Sequence, residues 1–257
     1  MRFDVVTIFP DMIQSLLTDG VVGRAVTSGL IRVGVHDLRD FTDDRHRSVD
    51  DVPYGGGPGM VLKPEPFFRA VAAIRREHGE PDVVALMSPQ GRVFRHEQAS
   101  VLSGRSHVVL LCGRYEGVDE RIRLALATEE ISIGDYVLSG GELAAAVVID
   151  TVARLVPGVV GDAKSVEQES FVDGLLDHPH YTRPPVFDGY EVPEVLRSGH
   201  HVEIQRWRRR EALRRTQARR PDLLGQGPLD AHARRWSSKL KDEASRSSDR
   251  EQADECD

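Results

Sequence analysis

The sequence predicts an α/β protein whose main sheet is parallel, because strand-like and helix-like segments alternate along the first 160 residues. The strand signals are short apolar runs rich in β-branched residues, and they lie at residues 3–9, 31–36, 82–87, 107–112 and 130–133. The helical spacing of apolar residues occupies residues 11–17, 64–77, 96–103, 118–127 and 142–156. Two of the strands end at a glycine, which brings bare backbone to the carboxyl edge of the sheet.

Three loops after predicted strands favour a ligand pocket at that edge. Glycine-rich loops at residues 113–117 and 134–141 follow the last two strands, and a Ser-Pro-Gln-Gly loop at residues 88–91 follows the strand before them. Glycine removes the Cβ that would hold a ligand away from the backbone, and it permits a positive φ. Glycine and proline are also common in ordinary turns. Because three such loops follow neighbouring strands, we expect them to wall one pocket.

The positions of the glycines argue against an ordinary Rossmann fold. That fold carries its glycine fingerprint directly after the first strand. Here the first strand leads into Phe9, Pro10 and Asp11. The expected pocket therefore belongs to another kind of α/β protein.

Composition and cysteine usage indicate a globular protein of a reducing compartment. The chain has 257 residues, of which 40% are hydrophobic and 29% are charged, and no apolar run approaches the roughly 18–20 residues of a membrane span. The N-terminus has the pattern of a strand and lacks the apolar stretch of a signal peptide. Cys112 and Cys256 are the only cysteines, and no Cys/His cluster has zinc spacing. We expect a cytoplasmic location, no structural metal and no membrane partner.

Positive charge is concentrated in one segment. The net charge is −7, but residues 206–220 hold eight arginines and one acid, Glu211, a local +7 that leaves −14 for the rest of the chain. A helix predicted over residues 200–220 has Ile204, Trp207 and Ala218 on one side and arginines around the rest. A solvated face is the usual explanation of a charge run, but few acids lie near enough to balance these arginines. Phosphate is their natural counterpart, so we expect a partner that carries phosphate.

The chain is predicted to have four parts. The alternating segment forms a domain over residues 1–160, and a flexible, acidic linker follows over residues 161–176. A helical domain is expected over residues 177–241, with helices at 193–197, 200–220, 221–224 and 228–240. The last segment, residues 242–257, is rich in serine and charge and predicts a disordered tail.

Helical spacing leaves two interpretations of Arg154. The stripe expected to be buried on the helix at residues 142–156 consists of Val148, Ile149, Val152 and Leu155. Asp150 and Arg154 lie opposite this stripe. Arg154 either pairs with Asp150 at i,i+4 spacing or presents a cation at the mouth of the pocket.

Five acids lie in the linker and directly after it, namely Asp162, Glu167, Glu169, Asp173 and Asp177. Solvated linker charge is the simplest explanation of each. A catalytic base among them would have to be delivered when the linker orders around a bound substrate.

Five segments resemble motifs of the bacterial tRNA (guanine-N1)-methyltransferases, which belong to the knotted SPOUT class of methyltransferases. They are DDVPYGGGPGM at residues 50–60, LMSPQG at 86–91, CGRYEGVDER at 112–121, SIGDYVLSGGE at 132–142 and LDHPHYTRP at 176–184. They occur in the order of the family, and the resemblance covers residues 1–225.

The resemblance implies a specific fold and activity. The parallel sheet would contain a deep trefoil knot in its C-terminal part, and a small all-α domain would follow it. The enzyme would be a homodimer that transfers methyl from S-adenosylmethionine to N1 of the guanosine 3′ of the anticodon, position 37, while the helical domain grips the anticodon arm. The resemblance also implies a magnesium requirement, for which the sequence shows no protein ligands.

Individual roles follow from the matched motifs. The methyl-donor pocket would be lined by Pro89, Gln90, Gly113, Tyr115, Glu116, Ile133, Gly134, Asp135, Tyr136, Val137, Leu138, Gly140 and Gly141. The resemblance implies that Arg154 contacts O6 of the target guanine. This favours the interpretation of Arg154 as a cation at the mouth of the pocket. Glu169 occupies the position of the family's general base, an aspartate, and Asp177 is the reserve candidate. Another departure is Ala144, where the family pattern has proline.

The resemblance implies tRNA and not DNA as the partner, with contacts at Gly59, Ser170, Arg208, Arg209, Arg214 and Arg215. Two other functions remain open at this point. A SPOUT enzyme that methylates a ribose hydroxyl would share the pocket but need no base for a ring nitrogen. A non-catalytic RNA-binding protein would keep the arginine-rich helix and show no turnover.

Overall fold

The computed structural model describes residues 1–161 and 169–225. The chain divides into two compact units, Met1–Val166 and Glu167–Asp257. The helix predicted over 228–240, the tail at 242–257, and Asp162 and Glu167 lie outside the described residues.

Five parallel strands form the sheet of the first unit, in the order β2-β1-β6-β5-β7. They are β1 (Arg2–Thr7), β2 (Arg32–Asp37), β5 (Val83–Val93), β6 (His107–Cys112) and β7 (Glu129–Ser132). Two short strands, β3 (Asp50–Asp51) and β4 (Val61–Leu62), form a separate antiparallel pair. The predicted α/β class with a parallel sheet is confirmed.

Helices connect the strands of the sheet. They are α1 (Pro10–Gln14), α2 (Gly20–Thr27), α3 (Pro64–His78), α4 (His96–Ser103), α5 (Glu120–Ala125) and α6 (Glu142–Leu155). Single 3₁₀ turns lie at Ser15–Leu17 and Leu38–Phe41. Proline begins α1 and α3, where its missing N–H costs no helical hydrogen bond. Gly79 ends α3 with φ 84°, a conformation that favours glycine.

The sheet separates two apolar cores because successive side chains of a strand point to opposite faces. Val108 and Leu110 of β6 face one core, which includes α2, α4 and α6, and Val109 and Leu111 face the other, which includes α3. Every residue of β6 is buried. A parallel strand covered on both faces is apolar throughout, which explains why the sequence identified β6 at its observed bounds.

Three local predictions differ from the structure. The strand expected to end at residue 87 continues to Val93, with a shift of register between Met87 and Arg92, so residues 88–91 bulge out of β5. Helix α2 was not predicted. Helix α5 is shorter than the expected residues 118–127, because Asp119 caps it by accepting a hydrogen bond from the Arg121 N–H at 2.9 Å.

The second unit contains a hairpin as well as helices, which corrects the expectation of an all-α domain. Strands β8 (Val186–Phe187) and β9 (Tyr190–Glu191) are antiparallel, and α7 (Glu194–Arg197), α8 (His201–Arg219) and a 3₁₀ turn (Pro221–Gly225) follow. The buried residues of α8 are Trp207, Ala212, Leu213 and Thr216. Of the three residues predicted to share one side of this helix, Trp207 is buried, Ile204 is half-buried and Ala218 is exposed. No helix among the described residues is long and apolar enough to cross a membrane.

One buried carboxylate joins three adjacent strands. Asp4 on β1 is fully buried and accepts hydrogen bonds from Arg2 Nε at 2.6 Å, His36 Nε2 on β2 at 2.7 Å and His107 Nε2 on β6 at 2.8 Å. Burial by itself would raise the pKa of Asp4, but the hydrogen bonds from His36, Arg2 and His107 lower it to about 2.

This cluster predicts acid sensitivity. Because the pKa of Asp4 lies below its ordinary value of 3.8, ionised Asp4 stabilises the fold above that value, and the stabilisation is lost as the pH falls towards 2. The shift corresponds to about 2 kcal/mol. Urea unfolding between pH 6 and pH 2, followed by circular dichroism, should show a flatter pH dependence for Asp4→Asn than for the wild type. The exposed Asp150→Asn should follow the wild type, and equal slopes for all three proteins would contradict the prediction.

Candidate active site

The three segments predicted as loops meet in one cavity, which is formed by the bulge of β5 and by the loops that follow β6 and β7. The cavity encloses about 270 Å³. The loop after β6 and the loop before α6 are joined directly, because the Gly141 N–H donates to the Gly113 carbonyl at 2.9 Å and Arg114 pairs with Gly140 in an isolated β-bridge. The pocket is therefore walled by loops that hydrogen-bond to one another.

Twelve of the thirteen residues expected to bind the methyl donor line this cavity. They are Pro89, Gln90, Gly113, Tyr115, Glu116, Ile133, Gly134, Tyr136, Val137, Leu138, Gly140 and Gly141. Asp135 belongs to the same loop but is not among the lining residues.

The lining suits S-adenosylmethionine, which has a flat apolar ring and a positive sulfonium. Leu86, Ile131 and Leu138 supply apolar surface, and Glu116 and Glu130 supply negative charge in the same cavity. Bare backbone at the glycines leaves main-chain N–H and C=O groups within reach of a ligand. The residues present therefore fit the expected donor.

Packing between the loops explains two of the glycines. A Cβ at Gly140 would overlap the Arg114 side chain, and a Cβ at Gly141 would lie 2.8 Å from the Cα of Cys112. At Gly113 the nearest atom to an added Cβ is Val118 Cγ1 at 3.3 Å. Side chains are thus excluded at Gly140 and Gly141 by the protein itself, in addition to any effect on a ligand.

An ion pair between Arg114 and the buried Glu142 holds the pocket loops. No function was predicted for either residue from the sequence. Glu142, at the start of α6, is fully buried. It accepts hydrogen bonds from Thr7 Oγ1 at 2.7 Å and from Arg114 Nε at 2.9 Å. The Arg114 guanidinium also lies 4.4 Å from the centre of the Phe9 ring. The only sequence signal was an arginine directly after one glycine and an acid directly after another.

Gly59, one of the expected tRNA contacts, lies beside the pocket. Its loop is held against residues 116 and 117 by hydrogen bonds from the Glu116 N–H to the Met60 carbonyl at 3.1 Å and from the Leu62 N–H to the Gly117 carbonyl at 3.0 Å. Gly59 has φ 82°, and a Cβ there would overlap the Glu116 side chain. The loop that contains Gly59 therefore packs against the loop after β6.

Arg154 does not lie at the pocket of its own chain. Helix α6 begins beside the pocket at Gly141 and places Arg154 in its last turn, about 20 Å along the helix axis. Arg154 is half-buried and makes a further interaction within the protein. Of the stripe expected to be buried, Val148, Ile149 and Val152 are buried and Leu155 is half-buried, while Asp150 is exposed.

The two candidate bases lie together in the second unit. Glu169, Asp177, His178, Arg208 and Arg209 line a cavity of about 190 Å³. Burial alone would raise the pKa of Asp177, but hydrogen bonds from the His180 ring at 2.7 Å and the His178 N–H at 2.7 Å lower it below its ordinary value. A carboxylate stabilised in this way is a weaker proton acceptor, which counts against Asp177 as the base.

Ser170, an expected tRNA contact, has a structural role in the same region. Its Oγ accepts a hydrogen bond from the Asp177 N–H at 2.9 Å. The two ends of the segment from Ser170 to Asp177 are therefore held together, which keeps Asp177 near Glu169.

The part of the chain that the structure describes does not fit the implied magnesium ion. Within it, the one group of three or more potential ligands is Asp177, His178 and His180. Magnesium prefers an octahedral set of oxygen ligands, and two of these three ligands are imidazoles. This group of residues is therefore not suited to bind magnesium.

The exposed arginines of α8 form a ridge. Arg206, Arg210 and Arg214 are spaced four residues apart, and their side chains are 72%, 52% and 74% exposed. Their carboxylate neighbours, Glu203 and Glu211, belong to the same helix. Exposed pairs of this kind contribute little stability, so the guanidiniums can exchange these partners for phosphate. Arg208 and Arg209 instead line the cavity that contains Glu169.

The fold and the pocket define an α/β ligand-binding protein. It has a cofactor-sized cavity at one edge of a parallel sheet and a second, arginine-rich unit. Comparison with known proteins is more specific. The family model described as tRNA (Guanine-1)-methyltransferase TrmD matches residues 1–226. The chain belongs to this family.

Curated relatives agree over nearly the whole chain. A protein of Dehalococcoides mccartyi (strain ATCC BAA-2266 / KCTC 15142 / 195) is 56% identical over 224 residues, 87% of this chain and 90% of its own length. A protein of Geobacter metallireducens is 50% identical over 246 residues, 96% of this chain and 100% of its own length. A protein of Dictyoglomus turgidum is 53% identical over 87% of this chain and 90% of its own length. Each is named tRNA (guanine-N(1)-)-methyltransferase.

We expect the same Glu→Gln substitution to destabilise the fold much more at the buried ion pair than at an exposed one. Glu142→Gln removes the buried charge that balances the partly buried Arg114, which should lower the free energy of unfolding by about 3 kcal/mol. Glu120→Gln breaks an exposed pair with Arg123 and should cost less than about 1 kcal/mol. Urea unfolding of both variants measures the difference. If the two variants unfold at the same urea concentration, the buried pair does not hold the pocket loops.

Proposed function

We propose that this protein transfers a methyl group from S-adenosylmethionine to N1 of the guanosine 3′ of the anticodon, position 37, in tRNA. The observation that carries the proposal is family membership at 50–56% identity to relatives named for guanine-N1 methylation of tRNA. The donor-sized pocket in the first unit and the arginine ridge in the second support it. We place the reaction in the cytoplasm, where the buried thiol of Cys112 stays reduced.

The bound donor supplies an electrophilic methyl, so the protein must supply alignment and a reactive nucleophile. Guanine N1 carries a proton at neutral pH and is a poor nucleophile until a base removes it. We assign this step to Glu169. As the proton leaves, negative charge develops towards O6, and the Arg154 guanidinium stabilises it there.

The placement of Arg154 supports a homodimer. Within one chain, about 20 Å of helix lies between the pocket and Arg154. An arginine side chain is too short to span this distance. Arg154 therefore acts at the pocket of a second copy, and neither copy has a complete site alone.

We further propose the knotted topology of the SPOUT class for the segment from β6 to α6. The hydrogen bond between Gly141 and Gly113 and the bridge between Arg114 and Gly140 support it, because they hold two loops of this segment in direct contact. We keep the predicted division of the chain, in which residues 1–160 bind the donor, residues 161–176 link the two domains, residues 177–241 bind tRNA and residues 242–257 form the C-terminal segment.

One assay tests the proposed function. Purified protein, S-adenosylmethionine and unmodified tRNA are incubated, and the nucleosides are then analysed. We expect N1-methylguanosine at position 37 and no other product. Methylation of a ribose would favour the alternative SPOUT enzyme, and binding of tRNA without turnover would favour a non-catalytic RNA-binding protein.

Glu169 is tested by an isosteric substitution. Glu169→Gln cannot accept a proton, so the single-turnover rate should fall by about 10²–10⁴, while the affinities for donor and tRNA stay near those of the wild type. Asp173→Asn, which changes an acid lining the same cavity, is the matched control and should keep the wild-type rate. If Asp177→Asn abolishes the chemical step and Glu169→Gln does not, the base is Asp177.

The arginine ridge should bind phosphate without reading sequence, because phosphate contacts position an RNA but do not specify it. The double variant Arg210→Ala/Arg214→Ala should weaken binding of all competent tRNAs. It should also reduce the slope of log K against log salt by about 1.5 if each arginine contacts one phosphate. Arg76→Ala, an exposed arginine on α3, controls for the loss of charge. Parallel lines for the wild type and the double variant would mean that these arginines make no phosphate contact.

A further inference from the structure

Three potential metal ligands converge at one point of the second unit. The carboxylate of Asp177 and the ring nitrogens of His178 and His180 lie within 4.8 Å of one another. His180 Nε2 is 2.7 Å from Asp177 Oδ2, and His178 Nε2 is 3.8 Å from Asp177 Oδ1. Ligand atoms around a tetrahedral ion of zinc size are separated by roughly 3.3 Å, so small side-chain movements would complete a site. All three ligands come from one four-residue segment, Asp177–His180.

Hydrogen bonds and packing already orient two of these ligands. His178 Nδ1 lies 3.1 Å from the Pro179 carbonyl, and donation to that oxygen leaves the Nε2 lone pair free for an ion, as in most metal-binding histidines. The His178 ring also packs edge-on against the buried Trp207, with the ring centres 6.3 Å apart. The Asp177 N–H is held by Ser170. These contacts fix Asp177 and His178, whereas the His180 side chain is 71% exposed and free to adjust.

The ligand chemistry selects the class of ion. Two imidazoles and one carboxylate suit Zn²⁺, Co²⁺ or Ni²⁺, whereas Mg²⁺ and Ca²⁺ prefer oxygen. Arg208 and Arg209 line the adjoining cavity and oppose a cation, but Asp173 lies 3.3 Å from Arg209 and partly offsets that charge. Three protein ligands leave at least one coordination position for water.

We propose that Asp177, His178 and His180 bind one divalent transition-metal ion, and that its binding inhibits methyl transfer. The ion would hold the carboxylate of Asp177 and the segment around it in a fixed geometry, in the same small cavity as Glu169. A base held beside a fixed segment is hindered from reaching guanine N1. The inhibition rests on the proposed function, whereas the binding does not.

Cobalt binding tests the site without tRNA. The full chain carrying Cys256→Ser, which removes the tail thiol as a competing ligand, is freed of metal and titrated with Co²⁺ in excess Mg²⁺, and the visible d–d absorption is followed. We expect one equivalent to bind, with intensity typical of low coordination number. His180→Gln should weaken binding by about tenfold or more. His201→Gln, an exposed histidine of the same unit, should not change it. Equal affinities for the two variants, or no saturable absorption, would overturn the site.

Methyl transfer tests the second part of the proposal. Zn²⁺ added at concentrations that saturate the site should lower the rate of the Cys256→Ser protein. It should have at least tenfold less effect on His180→Gln, when each protein is compared with its own rate in the same Mg²⁺ buffer before Zn²⁺ is added. Equal inhibition of both proteins would overturn the regulatory role and leave the binding result standing. Absence of methyl transfer in a buffer that contains Mg²⁺, before any Zn²⁺ is added, would instead contradict the proposed function.

Discussion

The pocket depends on the buried carboxylate of Glu142. A charge without solvent contact is costly unless hydrogen-bonded partners compensate it, and here those partners come from the end of β1 and the loop after β6. Glu142 is the first residue of α6. The hydrogen bonds to its carboxylate therefore fix the start of α6, the end of β1 and the loop after β6 relative to one another. Phe9 under the Arg114 guanidinium adds a cation–π contact on the same side. The backbone of the pocket is therefore arranged before a ligand enters.

This arrangement explains why the loops carry so many small residues. Gly140 and Gly141 have no side chains because Arg114, Cys112 and Met87 occupy the space that side chains would need. In the opposite loop, Tyr115 has φ 59°, an uncommon conformation for a residue with a side chain. Hydrogen bonds on both sides of Tyr115 maintain it. A binding site whose loops are already ordered loses less entropy when its ligand binds, which suits a donor that must be held in one orientation.

The sequence could predict those features that depend on local pattern. The uniformly apolar run of β6 and the proline start of α3 were sufficient to locate both elements. Residues 88–91 misled the prediction of β5, because a Pro-Gln-Gly bulge has the same composition as a turn that ends a strand. The hairpin at Val186–Glu191 was missed since strands of two residues are too short to show alternation. The ligand-facing glycines were visible in sequence, whereas the pair of Arg114 with Glu142 and the bond of Glu142 to Thr7 span 28 and 135 residues and carry no local signal.

The electrostatic surroundings of a carboxylate decide how well it accepts a proton. Partners that stabilise the ionised form lower the pKa of the carboxylate and weaken it as a base. Asp177 has such partners in the His178 N–H and the His180 ring, which counts against Asp177 as the base. Under the proposed mechanism, the base and the Arg154 guanidinium would act together only on a bound guanine, so binding of tRNA itself would assemble the reactive site.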